Sequence, residues 1–127
     1  MSFYTLEDLE VYKLVESFSD EIWFIVHQWD YFSKDTVGKQ IARSADSIGA
    51  NIAEGYGRYH YKENKNFCYF SRGSIIETMG WLRKSKTREI LSEDQFNILF
   101  EKLQIIHLKL NAYLKFIGKS NINKLEK

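Results

Sequence analysis

The side chains best suited to chemistry are His27, His60, His107, Cys68 and the serines Ser44, Ser47, Ser71 and Ser74. Their spacing argues against a catalytic centre. No histidine stands three or four residues from another, and no Glu-x-x-His pair occurs. The chain therefore lacks the ligand pattern that a di-iron bundle repeats on facing helices. Cys68 has no histidine close by in sequence and falls on a helical face, where a cysteine reads as a small core residue rather than a nucleophile. The serines lack a nucleophile elbow, and no Walker or Rossmann glycine pattern is present. The expectation is no enzyme, no catalytic or metal-binding residue, no cofactor and no small-molecule substrate.

The chemistry that remains is recognition. Gln40, Arg43, Ser47, Asn51, Glu54 and Arg58 follow spacings of three, four, four, three and four, which makes a polar stripe along one helix. Arg72, Ser74 and Glu77 offer a complement on the next helix, with Ser71, Gly73 and Gly80 beside them. Arginine forks can bond carboxylates in pairs, so Arg43, Arg58 and Arg72 are expected to meet Glu54 and Glu77 across helices or across subunits. A solvated polar face is the competing explanation. Two further groups suit nucleic acid. Arg83, Lys84, Lys86 and Arg88 cluster within six residues; they could contact phosphates, complement a helix C-terminus, or meet the acidic first helix of a second subunit. Tyr59, Tyr61, Lys62 and Lys65 interleave aromatics and cations, which could stack bases or close the end of a core.

Four helices must position these groups. The first runs from Leu6 to Trp29, with Thr5 as cap and Val11, Val15, Phe18, Ile22, Ile25 and Trp29 as its apolar seam. A loop over Asp30 to Lys34 leads to a second helix from Asp35, as N-cap, to Gly57; Val37, Ile41, Ala45, Ile48 and Ile52 form its stripe. The third spans Lys62 to Glu89, with Phe67, Phe70, Ile75, Met79 and Leu82 facing inward. Ser92 to Gln95 reads as a capping box that opens the fourth. Phe96, Leu99, Leu103, Ile106, Leu110, Tyr113 and Ile117 then alternate three and four, and Gly118 stands where a helix stop belongs. Short connections between long helices predict an all-α, antiparallel up-down-up-down four-helix bundle. The domain covers residues 1–118, and 119–127 form a polar tail.

The bulk properties narrow the function further. A chain of 127 residues suffices for one core. Its 18 basic residues oppose 17 acidic ones, so no global charge draws it to nucleic acid or membrane. One cysteine, no signal-like start and no long apolar run point to a cytoplasmic protein that does not engage the membrane.

The segment NIAEG at Asn51 to Gly55, preceded by SADSIGA and followed by YGR, resembles the four-helix-bundle family of ribosomal RNA intervening-sequence proteins. Arg72, Gly73, Ser74 and Glu77 are similar to its third-helix signature, and LEDLEVYKL is similar to its start. The resemblance spans about Leu6 to Ile117. It implies a single up-down bundle without known catalytic activity, whose genes were first noticed inside insertions in large-subunit ribosomal RNA genes. It also implies kinship with the accessory variability protein of diversity-generating retroelements, a homopentamer that binds nucleic acid. Two departures stand out. Gly49 occupies a place where the family often has proline, and this chain is near neutral where the retroelement relative is strongly basic. The function expected is a homo-oligomeric interaction or scaffold protein, a pentamer by resemblance; the alternative is an accessory protein that binds RNA or DNA through a local basic patch.

Overall fold

The computed structural model describes residues 5–120, with the side chains of Asp8 and of 118–120 excepted. Helix α1 is Glu10–His27. Helix α2 is continuous through Tyr31–Ser33, a π-helical turn Lys34–Gly38, and Lys39–Tyr56. Helix α3 is Tyr61–Thr87, and α4 is Glu93–Ser120. Each helix packs against two neighbours in the cyclic order α1, α2, α3, α4, the arrangement of an up-down four-helix bundle.

Local chemistry sets the helix ends. Leu9, not Thr5, stands at the start of α1; it is buried, and a single 3₁₀ turn, Leu6–Asp8, precedes it. Asp30, rather than Asp35, caps α2: its carboxylate accepts the Ser33 amide at 3.2 Å, so the expected loop is the first turn of the helix. Asp35 lies in the π turn and pairs with Lys39 at 2.7 Å. The capping box is present in full. Ser92 accepts from the Gln95 amide and Gln95 accepts from the Ser92 amide, each at 3.1 Å.

Helix α3 stops two residues before Glu89. Glu89 adopts φ 61°, and the Ile90 amide reaches back to the Ser85 carbonyl at 2.8 Å. This is a Schellman stop with glutamate where glycine is usual, at a cost of about 1 kcal/mol. Gly118 is no stop, because α4 continues to Ser120. Of the expected tail, 121–127 lie outside the described residues.

The core contains the expected stripes of α2 and α4, except that Phe96 is only half-buried. On α1, Val26 takes the inward place expected of Ile25. The largest difference is on α3. Its fully enclosed positions are Asn64, Cys68, Ser71, Ile75, Thr78, Leu82 and Ser85, all 0 % exposed. They alternate four and three without a fault, yet only Ile75 and Leu82 are large and apolar. Phe70, expected inside, is 59 % exposed.

Candidate interaction faces

The seam between α2 and α3 is built from small and polar residues, and its polar groups bond across the gap. Ser71 donates to the Ile48 carbonyl at 2.8 Å. The Ser44 and Thr78 hydroxyls stand 2.8 Å apart, and each also reaches a carbonyl of its own helix, Ile41 at 3.2 Å and Ser74 at 2.7 Å. Gly55 marks the closest approach. A Cβ there would stand 2.8 Å from Phe67 Cβ and 2.9 Å from the Asn64 carbonyl oxygen. Asn64, enclosed beneath it, donates to the Tyr113 hydroxyl at 3.3 Å. Among the described residues, no buried side-chain nitrogen or oxygen lacks a partner. The seam is thus a satisfied polar network rather than an open site.

The predicted polar stripe lies outside this seam. Gln40, Ser47 and Asn51 are half-buried, while Arg43, Glu54 and Arg58 are exposed. Arg43 donates to Gln40 on its own helix, and Arg58 pairs with Glu54 at 2.9 Å, also on its own helix. Asn51 and Ser47 bond back to carbonyls one turn earlier. Glu77 accepts from the Trp81 indole, and Ser74 offers its carbonyl to Thr78. Arg72 turns to α4, donating to Asn111 at 3.2 Å with its guanidinium over Tyr69. Within one chain, therefore, the arginines and glutamates of α2 and α3 do not pair across helices. The residues that do join α2 to α3, Ser44, Ser71, Thr78 and Gly55, carried only the signal of small side chains on facing helices.

The basic cluster at the end of α3 is partly engaged. Arg83 lies over Phe100, and Lys86 lies over Phe96 and 3.8 Å from Glu93. Lys84 and Arg88 are exposed. In the connection between α2 and α3, Tyr59 is exposed with its ring edge-on to His60; in the first turns of α3, Tyr61 packs against the core, Lys62 is exposed and Lys65 is half-buried. The acidic face of α1 finds cations inside the chain. Glu10 meets Lys109 at 2.5 Å and Glu21 meets Lys102 at 2.7 Å. The Lys109 hydrogen bond holds the Glu10 carboxyl below its ordinary range. Asp46 has no such relief: partial burial, with Glu16 and Asp20 nearby, raises its pKa.

Cys68 is enclosed, and burial pushes its thiol up to about 12, so almost no thiolate exists at neutral pH. His27 is exposed and stacked on Trp23. His107 is half-buried beside Met79 in a groove between α3 and α4. Among the described residues, no group of three or more His, Cys, Asp and Glu side chains could hold a metal ion, and no helix is long and apolar enough to cross a membrane.

One face went unread in the sequence. Helix α4 carries a second apolar stripe on its outer side: Ile98, Ile105, Leu108 and Phe116 are all exposed, Leu108 by 70 %. Ile105 and Leu108 also border the groove of ≈ 480 Å³ that contains Met79. The signal was present as apolar residues between the core positions, but the core stripe accounted for the helix and hid it.

The model of the 23S rRNA-intervening sequence protein family matches residues 7–112. The chain belongs to this family. No curated protein matches it. Among solved structures, it is similar to a protein with unknown function from the S23 ribosomal protein family of Bacteroides thetaiotaomicron, at 24 % identity and TM-score 0.75, over 83 % of this chain and 98 % of that one. That likeness shows the shared bundle fold. In this family member Gly49 lies against α1, where a Cβ would stand 3.2 Å from Val15, and α2 runs through the position as unbroken helix.

Proposed function

We propose that the chain is a non-enzymatic, homo-oligomeric interaction or scaffold protein, working in the cytoplasm and assembled in part through the outer face of α4. The observation that carries this reading is the exposed stripe Ile98, Ile105, Leu108 and Phe116 on a helix whose core stripe is already complete. Large exposed apolar side chains gathered on one helix face mark interaction sites. A pentameric ring, which the family resemblance suggested, requires two different faces that meet head to tail. The polar stripe on α2, diagonal to α4, supplies a second face, with Arg43 and Glu54 turned outward.

Size exclusion with light scattering tests the reading. The wild-type chain is expected to run as an oligomer. Leu108→Glu should lower its mass, and Arg43→Ala should weaken assembly more than Lys84→Ala. A monomeric wild type at micromolar concentration, or an unchanged mass for Leu108→Glu, would sink the proposal.

A further inference from the structure

We propose that the groove between the first turns of α3 and the last turns of α4 binds single-stranded nucleic acid, with cations on the phosphates and Tyr69 against a base. The inference goes beyond the assembly reading and does not depend on it. The groove, ≈ 380 Å³, is lined by Lys65, Tyr69, Arg72, Asn111, Leu114 and Lys115. Three of these are cations and none is an acid. Lys62 extends the same face of α3, since positions 62, 65, 69 and 72 are spaced three, four and three.

The groove cations belong to the set that no carboxylate holds. Lys102, Lys109, Arg58, Lys39 and Lys86 are held by carboxylates. Among the described residues, Lys65, Arg72 and Lys115 have no carboxylate within ion-pair distance. Other cations among the described residues, Arg43, Lys84 and Arg88 included, also lack an ion pair, but the groove gathers three around an exposed aromatic ring with no acid in its lining. Arg72 is also preorganised. It is half-buried, bonded to Asn111 at 3.2 Å and set 5.0 Å from the Tyr69 ring centroid. A positive groove with an aromatic platform is how proteins take single strands without reading sequence. Tyr69, 43 % exposed, favours a nucleobase over an acidic peptide, which would need the cations alone.

The test is fluorescence anisotropy of a labelled short oligothymidylate, from about 20 to about 200 mM salt, a range over which phosphate contacts are strongly weakened. Three to four phosphate contacts predict a slope of log affinity against log salt of roughly −2 to −3. Lys65→Glu/Lys115→Glu should weaken binding at least tenfold and flatten the slope by about 1.4. Tyr69→Ala should cost roughly tenfold. Lys84→Glu/Arg88→Glu makes the same change in charge at the far end of the bundle and should stay within about twofold of wild type, since those residues lie outside the groove. Light scattering on each variant separates the two proposals: a monomeric wild type that still binds would end the assembly reading and leave this one standing. No binding at low salt, equal loss in both charge variants, equal affinity for a polyglutamate peptide, or loss of binding only alongside loss of assembled mass would each overturn the inference.

Discussion

Across the α2–α3 seam the bundle packs hydroxyls, an amide and a bare glycine; across the α1–α4 seam it packs large apolar side chains and bridges the rim with lysine–glutamate pairs. In the first, Ser44, Ser71, Thr78 and Gly55 let the helices approach until side-chain oxygens reach the neighbour's backbone or hydroxyl. In the second, Phe18 and Ile106 line a small groove of ≈ 140 Å³ between the helices, and Glu21 pairs with Lys102 at its rim. The contrast shows where stability is concentrated. A close seam tolerates no added atom, and its buried polar groups must stay paired. Exposed ion pairs gain little, because water screens them and long side chains lose freedom when held.

Glycine gives the sharpest test. Gly55→Val should destabilise the fold by about 3 kcal/mol, the upper end of overpacking costs, because backbone atoms stand in the way. Gly73→Ala has nothing within 4 Å and should instead stabilise α3 by about 0.5–1 kcal/mol. Urea denaturation of both variants measures the difference, and a shared sign would break the distinction drawn between seam and surface.

The hydroxyl pair comes next. A double-mutant cycle on Ser44→Ala and Thr78→Val should return a coupling of about 1 kcal/mol. Additive losses would mean that the two oxygens are neighbours rather than partners. The smallest effects belong to the α1–α4 rim. Lys102→Ala and Lys109→Ala should each cost under about 0.5 kcal/mol, and less still at high salt. A loss as large as that of the hydroxyl pair would show the ion pairs to be part of the core architecture.

Legibility in the sequence followed side-chain size. On α1, α2 and α4, large apolar residues at spacings of three and four announced the inward face, and the capping box at Ser92 announced where α4 begins. On α3 the same spacing is present, and Ile75, Met79 and Leu82 marked the inward side, but Asn64, Ser71, Thr78 and Ser85 share it with Cys68, so a hydrophobicity pattern leaves gaps there and draws Phe70 inward. Charged residues misled in a related way. Arg58 was expected to reach across helices or subunits but pairs with Glu54 on its own helix, and Arg72 took Asn111 and Tyr69 as partners, which come from α4 and its own helix rather than from α2. The groove around Lys65, Arg72 and Lys115 joins residues some 50 positions apart in the chain, a juxtaposition that follows only from antiparallel packing of α3 on α4.

The sequence by itself determined four helices, the large apolar residues of their inward faces, the order of packing and the family. Those follow from local propensity and from periodic burial of large apolar groups, which each helix carries alone. Tertiary structure decided that small polar residues complete the inward face of α3. A serine or asparagine can enter a core only where a neighbour supplies its partner, and here the Ile48 carbonyl, Ser44 and Tyr113 come from other helices.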